Sequence, residues 1–243
     1  MTLIKRVRPA LGLGLTGLAL GAVSLPPVAI RLAEALGEPP RRALDLHRLS
    51  ELAWQHLQLA GTGFILVALA GIAFGILATR DFAAAARPAI DSIAAGAQAV
   101  PPVVVVALAL PVLGFGGPPT LLALVAYGVM PVLRGTVGGI QAVSPDALDA
   151  ARAVGLTKAQ ILTRVELPLA WPVILEALRT ALVLAVATAA VGALAGASTL
   201  GTPIIAGLQN QNTVPMLQGA AATAALAFLG DAALILVAGM LRR

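Results

Sequence analysis

Few side chains in this sequence could carry chemistry. Cysteine is absent and there are two histidines, His47 and His56. A disulfide framework, a thiolate metal site, a Cys nucleophile and a His-rich metal cluster are therefore excluded. No G-x-x-x-x-G-K-[ST] phosphate loop occurs, so the chain lacks the usual cradle for ATP phosphates. Asp231 is the one acid well inside a long apolar run. An ionisable group so placed is a functional candidate by default, unless it lies near an interface or pairs with a neighbouring span. The aromatics are Trp54, Trp171, Tyr127 and five scattered phenylalanines. A tight cation–π cage is not expected from so few within one chain.

The densest local pattern lies between Ser144 and Pro168. Ser144-Pro145-Asp146 reads as a helix start, with Ser at the cap and Pro at the first helical position. Ala147 to Val154 continue the helix and Gly155 ends it as a C-cap residue would. Thr157 opens a second helix, with Gln160 three residues on as in a capping box. That helix is expected to run to about Leu167 and to stop at Pro168. The result is a helix–Gly–helix elbow. Ala147, Ala150, Ala151 and Ala153 leave a shallow surface on it, ringed by Asp146, Asp149, Arg152, Lys158, Arg164 and Glu166. Such a knob suits a groove on a cytosolic partner. The alternative is a solvated loop helix with no partner.

Composition says what must hold that elbow. Of 243 residues, 59% are hydrophobic and 11% charged, and the mean hydropathy is +0.94. Soluble domains carry about 25% charged residues. A disordered chain, a nucleic-acid-binding domain and an ordinary soluble enzyme are excluded, and an integral membrane protein surrounded by lipid remains. No charged residue occurs in 9–30, 52–79, 92–133 or 180–230. A spanning helix needs about 20 residues. The last two runs each hold two spans, divided at Gly114 to Pro119 and at Gln209 to Asn212. Six helices follow, at about 9–30, 57–79, 89–112, 119–140, 173–199 and 215–241. Continuous rather than alternating apolarity argues against a β-barrel.

With the N-terminus inside, inner segments hold Lys5, Arg6, Arg8, Arg80, Arg87, Arg152, Lys158, Arg164, Arg242 and Arg243. Outer segments hold Arg31, Arg41, Arg42 and Arg48. This bias places both termini in the cytoplasm. The first run also admits a cleaved signal peptide ending near Ala22-Val23-Ser24, although it is long for one. Residues 31–56 form an outer segment. In it Leu46, Leu49, Ala53 and Leu57 mark an amphipathic helix lying on the membrane surface and leading into the second span, with Trp54 in the interfacial belt. His56 is read as structural or as a pH sensor. Pro101-Pro102 and Pro111 are expected to kink the third span, where freed backbone groups must face protein or a water-filled cavity, or the kink is structural only. Four G-x-x-x-G pairs, beginning at Gly17, Gly71, Gly135 and Gly192, permit close helix packing. The amides Gln209, Asn210, Gln211 and Asn212 are expected in a short outer loop.

The elbow carries a family resemblance. Asp149-Ala150-Ala151, three residues, Gly155, nine residues, then Val165-Glu166-Leu167-Pro168 is similar to the EAA loop of ABC importer permeases. Asp149 stands where the family has Glu and Val165 where it has Ile. Trp54-Gln55-His56-Leu57, Val100-Pro101-Pro102, Tyr127 to Arg134 and Gly196 to Gly201 look like permeases of osmoprotectant importers, which carry glycine betaine, choline or carnitine. The likeness covers about residues 50–240.

It implies a type I importer permease fold in a bacterial cytoplasmic membrane. The domain proper spans 57–241, preceded by a first span at 1–30 and an outer segment at 31–56. The coupling loop at 141–172 docks into a cytosolic ATPase through Asp149, Ala150, Ala151, Gly155, Val165, Leu167 and Pro168. ATP is used by that partner, and this chain binds no cofactor. A periplasmic or lipid-anchored binding protein supplies recognition and touches Gln209 to Asn212. Pro101, Pro102, Tyr127 and Asp231 belong to the path. A second permease, identical or related, completes it. An ion-coupled secondary transporter acting alone is the competing function, and would be expected to show inverted repeats and several buried charges.

Overall fold

The computed structural model describes residues 2–38, 42–80, 83, 89, 92, 96 and 99–241. Among them every regular element is helical. They fall into two compact units. One lies within Met1–Phe64, Val100–Val125 and Leu182–Arg243, the other within Ile65–Ala99 and Ala126–Ala181. Four helices are long and apolar enough to cross a membrane, or five if a bent N-terminal pair counts as one span.

That bent pair replaces the single helix expected at 9–30. Helix α1 spans Thr2–Val23 and α2 spans Pro26–Ala35, with 82° between them. The cause is local. A residue before proline is pushed out of the helical region, and Leu25, before Pro26, is extended at φ −65°, ψ 137°. Ser24 closes α1 by donating its hydroxyl to the Gly21 carbonyl at 2.6 Å.

Helix α3 is Leu46–Ala78, 33 residues without a break. The expected amphipathic helix and the span it leads into are therefore one unbroken helix. Asp45 caps it, its Oδ1 accepting the Arg48 N–H at 2.8 Å. No Gly or Pro interrupts the chain before Gly61, so nothing ends the amphipathic part. Its inner face agrees with expectation at Leu49 and differs at its ends: Leu52 is buried with Leu49, whereas Leu46 and Leu57 are exposed.

Of the third expected span, 89–112, residues 90, 91, 93–95, 97 and 98 lie outside the described residues. The chain leaves helical conformation at Val100 and Pro101, and α4 spans Pro102–Leu113. At twelve residues α4 is too short to cross a membrane by itself. Pro101 caps it and Pro102 is its first residue, where a missing N–H costs nothing. Pro111 alone of these three prolines sits inside the helix.

Helix α5, Gly117–Gln141, agrees with the span expected at 119–140. Two short helices follow, α6 at Pro145–Ala153 and α7 at Lys158–Ile161. A wide π-turn at Leu162–Glu166 then leads straight into α8, Leu167–Val191. The second elbow helix thus does not stop at Pro168, and the fifth span starts six residues earlier than expected. Proline inside a helix lacks the N–H for the i−4 carbonyl and crowds that carbonyl. The π-turn just ahead, where the Leu167 N–H reaches back to the Leu162 carbonyl, shifts the register and absorbs the mismatch.

Beyond α8 the chain tightens into a 3₁₀ turn at Gly192–Ala195 and ends at Gly196, left-handed at φ 79°. Helix α9, Gly201–Gln209, was not expected. Pro203 within it reads as a loop signal but sits in the first turn, where backbone N–H groups are unpaired anyway. Helix α10, Thr213–Leu241, corresponds to the span expected at 215–241.

Glycines set the tightest contacts in each unit. A Cβ on Gly71 would lie 2.6 Å from that of Val132, and one on Gly75 2.5 Å from that of Thr136, so α3 and α5 touch nearly backbone to backbone. Gly135 and Gly139 of α5 likewise face Ala177 and Ala170 of α8. In the other unit Gly17 of α1 faces Leu229 of α10. The pair starting at Gly192 divides its work: Gly192 packs on Thr120, while Gly196 forms the turn.

Candidate coupling elbow

Each joint of the elbow is made by its own residues. Ser144 accepts the Ala147 N–H on Oγ at 3.4 Å, and Pro145 occupies the first helical position of α6. Asp146 in the first turn and Arg152 in the last complement the helix dipole. Arg152 also reaches Asp149 at 2.7 Å, one turn back on the exposed face. Such an exposed pair contributes about 0.3–0.5 kcal/mol.

Gly155 is left-handed at φ 81°. Its N–H bonds the Arg152 carbonyl at 3.0 Å, and the Leu156 N–H bonds the Ala151 carbonyl at 3.1 Å. These two bonds make a Schellman turn. A Cβ on Gly155 would meet nothing within 4 Å, so glycine is demanded by backbone conformation and not by space. Thr157 and Gln160 then form a reciprocal capping box: Thr157 Oγ1 accepts the Gln160 N–H at 3.3 Å and Gln160 Oε1 accepts the Thr157 N–H at 2.9 Å.

Of the small residues, Ala151 is buried on the inner face of α6, Ala147 is half-buried, and Ala150 and Ala153 are exposed. Val154 stands 76% exposed, an apolar knob at the turn itself. Asp149 and Gly155 are exposed beside it. Val165 and Leu167 are half-buried and Pro168 is exposed. The outward face is thus a small patch about two turns long, with exposed small residues and Val154 beside Asp146, Asp149 and Arg152.

Glu166 behaves differently from the other elbow charges. It turns inward and its Oε2 accepts from Arg80 Nη2 at 2.8 Å. Arg80, just past the end of α3, also donates Nη2 to Thr79 Oγ1 at 2.7 Å and Nε to the Ile76 carbonyl at 3.2 Å. The pairing is across 86 positions, and no local spacing announces it.

The remaining candidates are dispersed. Tyr127 is half-buried on α5 and Asp231 half-buried on α10, while Pro101 and Pro102 lie at the start of α4. The four amides form the turn between α9 and α10. Gln211 is left-handed at φ 49°, and the Asn212 N–H closes on the Gly207 carbonyl at 2.8 Å. Asn212 is structural here: its Oδ1 accepts the Val214 N–H at 3.2 Å and its Nδ2 donates to the Arg42 carbonyl at 3.2 Å. Gln209, Asn210 and Gln211 are exposed.

Two buried polar residues were not singled out as site residues from the sequence. His56 is fully buried, with Nδ1 accepting the Leu200 N–H at 3.3 Å and Nε2 at 3.0 Å from the Val186 carbonyl. This is a structural histidine holding its proton on Nε2. Gln218 is also fully buried. It accepts the Leu44 N–H at 2.8 Å and donates to the carbonyls of Ser24 and Leu44, each at 3.1 Å. One amide thus stitches the bend after α1 and the strand-like approach to α3 onto α10. Among the described residues no group of three or more His, Asp or Glu is placed to hold a metal ion.

Residues 71–242 match the family described as binding-protein-dependent transport system inner membrane component. The osmoprotectant import permease protein OsmY of Salmonella typhimurium is 34% identical over 190 residues, covering 78% of this chain and 79% of that protein. The carnitine transport permease protein OpuCD of Listeria monocytogenes is 35% identical over 179 residues, 73% of this chain and 79% of that protein. Among solved structures, a chain of the MetNI methionine ABC transporter in an inward-facing conformation superposes with a TM-score of 0.66 at 21% identity. It covers 81% of this chain and 95% of that one. The last likeness is one of fold. The family match takes in the elbow and every long helix after α3, and two relatives are similar over most of their length. The chain belongs to the family of binding-protein-dependent transport system inner membrane components.

Proposed function

We propose that this chain is the membrane permease of an ATP-driven importer for osmoprotectants of the glycine betaine, carnitine and choline class. The observation that carries the reading is the elbow: its outward patch presents Asp149, Ala150 and Gly155, and the run Asp149-Ala150-Ala151, Gly155, Val165 and Leu167-Pro168 has the spacing of an ATPase-docking loop. Support for the solute class comes from the names of the relatives. In this reading a cytosolic ATPase binds the elbow and hydrolyses ATP, and this chain does neither chemistry nor cofactor binding. A periplasmic or lipid-anchored binding protein delivers solute and contacts the turn between α9 and α10. A second permease, identical or related, supplies the other half of the pathway.

The chain crosses the inner membrane six times, with both termini in the cytoplasm. The crossings are the α1–α2 stretch, α3, the stretch ending in α4, α5, the α7–α8 rod and α10. Residues 1–30 form the leading span, 31–56 the outer segment and 57–241 the permease domain, with its coupling loop at 141–172. Pro101, Pro102, Tyr127 and Asp231 are assigned to the path. A helix interrupted at Pro101-Pro102 suits this role, because backbone groups freed at membrane depth must face protein or water.

The test is uptake of labelled glycine betaine, carnitine and choline in cells lacking their own importers. The chain is expressed with its ATPase and binding protein. Uptake should stop on ATP depletion and persist when ion gradients are dissipated. The opposite dependence would establish an ion-coupled carrier instead. A cytoplasm-only reporter should be active when fused at Arg243 and silent near Pro40. Activity at Pro40 would break the six-span topology.

A further inference from the structure

The charges on the outward face of the elbow are solvated, and Glu166 is the exception. Its side chain is 13% exposed and that of its partner Arg80 is 26% exposed. Arg80 spends its guanidinium on three acceptors at once: the Ile76 carbonyl, Thr79 Oγ1 and Glu166 Oε2. Such a fork is stiff, because a planar guanidinium held at several points has little freedom left. Glu166 is itself the last residue of the π-turn, the one irregular joint between the elbow and α8. Single π-turns mark positions where a helix changes register, and they recur at functional joints. The side chain that closes this joint is thus tied to a different helix, α3. That helix in turn packs closely on α5 at Gly71 and Gly75, which receive the side chains of Val132 and Thr136.

We propose that the Arg80–Glu166 ion pair is a positioning strut that carries movement of the elbow into the inner end of α3. The chain itself joins the elbow to the membrane helices at two places, through Gln141 to α5 and through the π-turn to α8. With the strut, a push on α6 reaches α3 directly. The pair is a weak source of net stability, because desolvating both ions offsets most of their attraction. Its geometry therefore points to positional control. Neither residue lies on the outward docking patch, so loss of the strut separates docking from transmission.

The inference rests on the elbow being an ATPase dock, and the experiment keeps the two apart. The complete complex of permease, ATPase and binding protein is reconstituted in liposomes, with solute uptake and ATP hydrolysis read together. Arg80→Gln should accumulate in the membrane and retain the ATPase. Solute moved per ATP should fall about fivefold or more, the range of an ordinary coupling free energy. The exchange of Arg80→Glu with Glu166→Arg should recover at least half of the loss, which a purely structural defect would not allow. Should Arg80→Gln fail to accumulate, Arg80→Lys keeps the charge but breaks the three-point fork, and is expected to show a smaller defect of the same kind. Wild-type uptake per ATP in the accumulating variant, or an exchange no better than Glu166→Arg alone, overturns the strut. A wild-type chain that retains no ATPase overturns the docking reading itself and takes this inference with it.

Discussion

The imidazole of His56 receives the backbone N–H of Leu200 on Nδ1 at 3.3 Å, with no solvent at either residue. Leu200 begins the turn into α9, so one side chain of α3 supplies the acceptor for a buried amide 144 residues away. Around it Leu49, Leu52 and Ala222 pack on Leu200 as an apolar cluster. His56→Ala leaves that amide unpaired and opens a cavity. Together these should cost about 2–4 kcal/mol and lower the unfolding temperature of the detergent-solubilised protein. His56→Asn, which can keep an acceptor near the same place, should lose less. Equal melting of wild type and His56→Ala would show that the bond contributes nothing.

Gly155 offers a test of backbone conformation free of crowding. Space is open around it, so any substitution is penalised through φ alone, by about 1–2 kcal/mol. Gly155→Val should reach the membrane in normal amount yet hydrolyse ATP without moving solute, because α7 leaves the turn at a wrong angle. Gly155→Asn, tolerant of left-handed backbone, should keep most of the coupling. The ratio of uptake to hydrolysis in the two variants is the measurement, and identical wild-type ratios would remove the turn from the coupling path.

Gly201 and Gly61 make a matched pair for packing. A Cβ on Gly201 would drive into the Ala190 carbonyl, whereas one on Gly61 meets nothing within 4 Å. Gly201→Ala should cost about 3 kcal/mol and sharply reduce the amount recovered folded from membranes. Gly61→Ala, in the middle of α3, should be neutral or stabilising by about 0.5–1 kcal/mol. Fluorescence-detected size exclusion of tagged variants reads both, and a well-behaved Gly201→Ala would contradict the close approach at α9.

The turn between α9 and α10 separates into a structural and an exposed part. Asn212 caps α10 and holds the Arg42 carbonyl, so its replacement should destabilise. Replacing Gln209, Asn210 and Gln211 by Gly or Ser leaves that cap in place. Stimulation of ATP hydrolysis by the loaded binding protein should then fall while basal hydrolysis is kept. Unchanged stimulation would leave these three residues as a solvated turn.

The elbow was legible from Ser144 to Gln160 because its joints there are local chemistry, whereas the π-turn that carries the chain past Pro168 was not. A capping serine, a left-handed glycine and a Thr–Gln box each act within five positions. The bend at Ser24-Leu25 was equally written in Pro26-Pro27, but an uncharged run counted as one span conceals it. Helix α3 was divided too early because amphipathic and apolar stretches differ in composition while sharing one unbroken backbone. Helix α9 was missed because nine residues with a Pro in the first turn look like a loop. The pairing of Arg80 with Glu166, and the roles of His56 and Gln218, depend on contacts across roughly 86–194 positions. No periodicity encodes such contacts, and only the folded chain brings them together.

The most direct test of the central claim uses the absence of cysteine from the chain. Ala150→Cys, on the exposed face of α6, is labelled with benzophenone maleimide and illuminated in membranes containing the whole transporter. Val112→Cys on α4 serves as the comparison, being highly exposed but far along the sequence from the elbow. The account predicts a cross-linked product with the cytosolic ATPase from position 150 and none from position 112. No ATPase adduct from position 150, in a complex that still takes up solute at the wild-type rate, would contradict it.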